Sequence, residues 1–276
     1  MPRARAWDQC PNAVKVMTAF GTVCHLPHDL RLPFARHVAY TEAKSLRRYT
    51  VGLVFREKHV DGFHPREIAE CAFDIVTPRT GTLWSDAELL LVANKAASAV
   101  NLKVSVTLNH TEMLKTLLLC CGVSTDRHRD LYPILVDVRL GRITNLQLQT
   151  HLTSLCITNR DIANLLRMME AEVPVSEVRE LVAPLAKKAE WSKALARAVE
   201  DLESVADNAK ALGLECAVTV APCLAYNATQ HSGVFWQMCA VSAAQRACSK
   251  HRSADIVAAG GRSEGKGVSL YSQQNR

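Results

Sequence analysis

Aromatic residues make up only 5% of this 276-residue chain. Long apolar runs are missing altogether: no stretch reaches the roughly 18 apolar residues that cross a bilayer. The first residues, "MPRARAWDQCPN", lack the apolar centre of a secretory signal. The ten cysteines include no Cys-x-x-Cys pair, and the histidines form no zinc-binding spacing. Gly-x-Ser-x-Gly is absent, as are the Gly-rich loop, HRD and DFG of protein kinases. Gly260, Gly265 and Lys266 have the spacing of a phosphate-binding loop, but Gly267 stands where that loop needs Ser or Thr. His128, between Arg127 and Arg129, reads as part of a solvated charge cluster. These absences predict a cytoplasmic protein with buried free thiols, no metal and no cofactor.

What is present describes a globular chain. Hydrophobic residues make up 48% and charged residues 22%, ordinary proportions for a packed domain. The net charge of +6 is a mild excess that suits a polyanionic partner. "VKVMTAFGTV" (14–23) reads as a strand. Pro27 and Pro33 disfavour helix just before them, and helical spacing follows Pro33 with Phe34 and Val38 inward. Residues 50–76 read as a hairpin turning at Asp61-Gly62. Ser85 and Glu88 have the spacing of a capping box at the start of a helix running to 99. "KVSVTLNH" (103–110) alternates as a strand, and a short helix from Thr111 stops at Gly122.

The stretch 125–212 has almost no strand signal. Its clearest helix repeats Trp191, Leu195, Ala198, Leu202, Val205, Ala209 and Leu212 at intervals of three or four. Strands return in 213–262, and the polar, Gly-rich end, 263–276, reads as a flexible tail. Strands interrupted by helices and then completed predict an α+β fold. Its parts are a first core segment 1–124, a helical insert 125–212 and a second core segment 213–262.

The hairpin "LVFREKHVDGFHPREIAECAFDIV" (53–76) carries the chemistry. Arg56 ends its first run, and Arg66, Glu67, Glu70 and Asp74 punctuate the second. An arginine on a strand suits bidentate grip of a phosphate or carboxylate. The run Arg246, Lys250, His251 and Arg252 is a second basic patch that suits phosphates.

"VFREKHVDGFHPREIAECAFDIV" resembles motif two of class II aminoacyl-tRNA synthetases of the histidyl type. "HLPHDLRLPFAR" is similar to the segment that reads LRPEGT in the synthetase, and "AAGGR" (258–262) to its GGRYD loop. With "LNHTEMLKTLLLCCG" and "QHSGVFWQ", the pattern over residues 15–262 resembles most closely the synthetase-like domain of the starvation-sensing kinases of initiation factor 2 alpha. The resemblance implies a class II antiparallel sheet core with a helical insert. It implies uncharged tRNA as partner, together with the kinase domain of a parent chain that works as a homodimer.

Departures from the family pattern imply lost catalysis. The LRPEGT arginine falls at Pro27 and its glutamate at Asp29. The glutamine that reads the substrate falls at Glu70, and the arginine of RGLDYY falls at Tyr226. GGRYD becomes "GGRSE", and the arginine-bearing helix of motif three has no match. The resemblance therefore implies no catalytic residue and a degenerate histidine and ATP pocket of Asp29, Glu67, Glu70, Tyr226 and Arg262. It implies a tRNA surface of Phe55, Arg56, Lys58, His59 and Arg66, with Arg56 exposed and Phe55 facing the other side. Two alternatives are a fragment of an active histidyl-tRNA synthetase and a regulatory paralogue that binds only proteins.

Overall fold

The computed structural model describes residues 13–56, 66–78, 81–184, 189–241, 256–265 and 268–275. Its first elements are a small hairpin, β1 (Lys15–Met17) and β2 (Val23–His25), where one strand is expected from the sequence. Gly21, at φ +75°, makes the turn between them. Helix α1 (Arg31–Thr41) follows, then the long strands β3 (Leu46–Arg56) and β4 (Arg66–Thr77). Pro33 sits inside the first turn of α1 rather than before it. A first-turn N–H has no intrahelical partner, so its loss costs nothing there. Phe34 and Val38 are buried against Val76 of β4, as the helical spacing predicts.

Next come α2 (Trp84–Ala99), β5 (Val104–His110), α3 (Thr111–Cys120), α4 (His128–Arg139), α5 (Asn145–Ser154) and α6 (Asn159–Glu170). Then β6 (Val173–Pro174), α7 (Val178–Val182), α8 (Ala189–Ala211), β7 (Val218–Val220), β8 (Val234–Ala240), β9 (Ile256–Gly265) and β10 (Val268–Asn275) complete the order. The expected Ser85 cap is corrected: α2 begins one residue earlier, behind Leu83 at φ 53°, with no side-chain cap. The Glu88 carboxylate instead accepts from Arg47, 3.0 Å away. The helical stretch 125–212 contains one two-residue strand, β6, which pairs with β7.

One sheet organises the fold, in the order β3-β4-β10-β9-β8-β5-β7-β6. Its neighbours run antiparallel except β5 and β7, which are parallel. The end of the chain is a correction. It is strand β10, hydrogen-bonded to β4 on one side and β9 on the other. Its Ser and Gln residues hide the strand in the sequence, yet pairing on both sides satisfies its backbone. Gly260 and Gly265 lie along β9 and form no phosphate loop.

The two sheet faces carry different cores. On one, α2 and α8 pack Leu89, Leu90, Leu195, Leu202 and Val205 against Ile75, Val106, Leu108 and Trp236. On the other, α3 to α6 gather Leu117, Leu135, Leu152 and Leu165 around Phe235 and residues 221–225. The α8 stripe is buried as its periodicity predicts from Leu195 to Ala209, whereas Leu212 is 38% exposed. Asn109 is fully buried and donates to the Pro222 and Leu224 carbonyls, at 2.9 and 2.8 Å. The described cysteines are all free, but Cys24, Cys71 and Cys156 are exposed, so burial is not general. His128 is also corrected: it is buried and 3.1 Å from the Val123 carbonyl, because it opens α4 against that turn.

Candidate functional site

Strand alternation sorts the hairpin. Arg48 lies opposite Asp74, Gly52 opposite Glu70, and Arg56 opposite Arg66. Side chains two apart share a face, so Arg48, Arg56, Glu70 and Asp74 all point to one side. That side is covered by α1 and the segment before it. Glu70 and Asp74 have no solvent exposure.

The covering segment is irregular, and its backbone groups need partners. The charged side chains supply them. Glu70 Oε1 accepts from Leu30 N–H at 2.9 Å, and Arg56 Nε donates to the His28 carbonyl at 3.2 Å. Arg56 Nη2 forms an ion pair with Glu70 Oε2. Arg48 Nη2 donates to the Leu30 carbonyl at 3.0 Å, and its Nε to Asp74 Oδ2 at 2.7 Å. The Arg48 guanidinium also lies 3.6 Å above the Phe34 ring, a cation–π contact. Asp29 caps α1 by accepting from Leu32 N–H at 2.9 Å. Burial pushes the Asp74 carboxyl up to about 6, against the hydrogen bond and charge of Arg48. Burial likewise pulls the His28 imidazole down, opposed by Asp29.

The expected pocket residues do not all meet. Asp29 and Glu70 come together around Leu30. Glu67 is exposed on the opposite side, one residue out of phase with the buried set. Arg262 is buried, but it follows Gly261 on β9 and points to the α8 side. There its Cδ is 3.4 Å from the place of a Cβ on Gly233, and His110 Nε2 is 3.9 Å from the same point. His110 Nε2 is in turn 3.4 Å from Asp201 Oδ2 on α8. Tyr226 lines a separate small cleft with Val136, Arg139, Leu140 and Gln237.

Of the expected tRNA surface, Arg56 is not exposed: its side chain is 11% accessible and committed to Glu70. Phe55 is half-buried on the other face, and its N–H donates to the Pro27 carbonyl at 2.8 Å. Lys58, His59, the Arg66 side chain and the Arg246, Lys250, His251 and Arg252 patch lie outside the described residues. Sequence reasoning missed Arg48 as a site residue. Counting back by twos from Arg56 reaches Arg48, so that signal was available.

The chain matches the histidyl-tRNA synthetase family over residues 33–271. It is 32% identical over 268 residues to the eIF-2-alpha kinase GCN2 of Homo sapiens, covering 95% of this chain and 16% of that protein. It is 33% identical over 110 residues to the cytoplasmic histidine–tRNA ligase of Oryza sativa subsp. japonica, covering 40% of this chain and 14% of that protein. The histidyl-tRNA synthetase structure from Nostoc sp. PCC 7120 superposes with a TM-score of 0.74 at 16% identity, covering 95% of this chain and 60% of that one. That likeness establishes the class II synthetase-like fold.

Proposed function

The chain belongs to the histidyl-tRNA synthetase family, and we propose that it is a regulatory member that holds uncharged tRNA without activating histidine. In this reading it is the sensor of a cytoplasmic, homodimeric kinase of initiation factor 2 alpha. Uncharged tRNA, bound here during amino-acid starvation, relieves the kinase domain of the parent chain. The supporting observation is the extent of likeness: identity to the human kinase runs through 95% of the chain, against 40% for the rice ligase. The site agrees with that choice. Adenylate formation needs preorganised cations facing the substrate, and Arg56 is spent on Glu70 and the His28 carbonyl.

The acceptor end of the tRNA meets the turn between β3 and β4, through Lys58, His59 and Arg66. Arg56 fixes the base of that turn rather than touching RNA, and Phe55 packs beside it. The basic run Arg246–Arg252 is the second contact. The test is tRNA affinity measured against salt, with histidine-dependent pyrophosphate exchange read on the same sample. Binding without exchange is expected, and Lys58→Ala lowers the salt slope by about one phosphate contact. Histidine-dependent exchange above background identifies a synthetase fragment instead. Absence of tRNA binding at low salt identifies a module for protein partners.

A further inference from the structure

Strand β3 forms one border of the sheet. Its 11 residues pair with β4 in one unbroken register, from Leu46 opposite Val76 to Arg56 opposite Arg66. In an antiparallel strand, successive residues turn their N–H and C=O to opposite edges. Phe55 N–H donates away from β4, to the Pro27 carbonyl. Counting back by twos, Arg47, Tyr49, Val51 and Leu53 also turn their backbone groups away from β4. Ala13 bridges to Arg56 at the far end of this edge. Between Arg47 and Leu53, no described residue pairs with it.

An open edge is a template for a further strand, and proteins usually guard it with charges, proline or a bulge. From Tyr49 to Leu53 this edge has none of these. The residues whose backbone groups face the open edge also carry the exposed apolar side chains, Tyr49, Val51 and Leu53. The single charge in the set is Arg47, which Glu88 of the same chain holds at 3.0 Å.

We propose that this edge pairs with the same edge of a second copy, antiparallel about a two-fold axis beside Thr50, so that the two sheets become one. A two-fold axis makes such a contact self-complementary. In this register Tyr49 lies opposite Val51 of the second copy, and Arg47 opposite Leu53. Every free N–H and C=O from Arg47 to Leu53 finds a partner, and pairing stops where Pro27 already takes Phe55 N–H. The cross-strand chemistry agrees. Tyr opposite Val is a favourable aromatic and β-branched pair, Thr50 meets its own copy, and no like charges stand opposite each other. A strand edge of this length buries less than the about 1,200 Å² of a stable interface, so the pair is a weak one. It needs neither RNA nor a kinase domain, and it stands or falls apart from the tRNA reading.

The experiment combines sedimentation of the full chain with disulfide trapping. At about 0.5 mM, a concentration that reveals weak pairs, the chain sediments as a monomer–dimer mixture. Val51→Pro removes one outward N–H and no bond to β4, so it keeps the circular dichroism of the parent and sediments as a monomer. Trapping tests the register. At the axis, Thr50 and its copy form a non-hydrogen-bonded pair with Cα atoms about 4.5 Å apart, within disulfide reach. Under mild oxidation Thr50→Cys therefore gives several-fold more covalent dimer than the unsubstituted chain. Val51→Cys lies off the axis, farther from its own copy than the about 7 Å a disulfide spans, and stays at the level of the unsubstituted chain. If Val51→Pro does not fold, the trapping result decides alone. A monomer at every concentration, association that survives in folded Val51→Pro, or equal trapping at residues 50 and 51 overturns the proposal. The last two would assign association to another surface.

Discussion

On one face of the β3–β4 hairpin, Arg48, Arg56, Glu70 and Asp74 are enclosed. On the other, Tyr49, Val51 and Leu53 are 83%, 66% and 56% exposed. The usual partition of apolar inside and charged outside is inverted within a single pair of strands. The cover explains the difference. Above the charged face lies irregular backbone, whose Leu30 N–H, Leu30 carbonyl and His28 carbonyl all need partners. Glu70, Arg48 and Arg56 supply them, so the charges stay in because they satisfy the chain above them. Elsewhere in the sheet the covers are helices, which satisfy their own backbone, and the strand residues packed against them are mostly apolar, such as Val106, Leu108 and Trp236.

The strongest way to break this comparison is to remove one partner of a buried pair. Glu70→Ala leaves Arg56 without its carboxylate and Leu30 N–H without its acceptor. The expected loss is about 3 to 5 kcal/mol in urea unfolding. Replacing both partners by Leu often restores stability in buried pairs. Here it should not, because the half-buried Leu30 N–H and His28 carbonyl are left unmet; the Arg56→Leu, Glu70→Leu chain is expected to stay about 2 kcal/mol below the parent. Full recovery in the double variant would show that the backbone above plays no part.

A second, smaller effect separates Asp74 from an ordinary surface carboxylate. Its folded-state value is raised, from 3.8 to about 6. The protonated form is favoured by folding, so its contribution is complete below about 3.8 and is lost as pH rises through about 6. That gap corresponds to about 3 kcal/mol. Asp74→Asn removes this slope, so the stability curves of parent and variant should diverge between pH 4 and 7, the parent falling more steeply. Parallel curves would mean that Arg48 keeps Asp74 ionised throughout. Further along the same face, Gly261→Ala forces a Cβ onto the Phe235 backbone at 2.9 Å, with an expected cost of about 1 to 3 kcal/mol. A melting temperature within error of the parent would show that His231 and Phe235 move aside freely.

How much of this could be read in the sequence follows from the range of each interaction. The α8 stripe was legible because its period is local, as was the pairing of β3 with β4, whose alternation is local too; the expected Asp61-Gly62 turn lies outside the described residues. The phase of the charges was legible too: Glu67 and Glu70 differ by an odd number, so one strand cannot bring them together. Arg56 misleads because its cover comes from residue 28, far back in the chain, and nothing beside Arg56 announces it. Strand β10 misleads for the same reason. "SLYSQQN" is polar enough to fray in isolation, and only β4 and β9 on its two sides make it a strand.

The smallest effect sharpens the comparison most, because it holds chemistry constant and changes only the face. Arg47 and Glu88 make an ion pair at 3.0 Å, with side chains 66% and 32% exposed. Arg56 and Glu70 make one with side chains 11% and 0% exposed. Both join an arginine of β3 to a glutamate, so any difference in their worth comes from solvent and from secondary partners. Water screens the first pair, and Arg47 spends side-chain entropy to hold its geometry. No backbone group is left unmet when it is lost. Arg47→Ala is therefore expected to cost about 0.5 kcal/mol or less, and that cost should vanish in about 1 M salt. Glu70→Ala should keep most of its cost in the same salt, since a buried pair is screened much less. Urea unfolding of the two single variants at low and high salt measures both. If the two losses were equal, or fell together with salt, the enclosure of the charged face would have no energetic meaning.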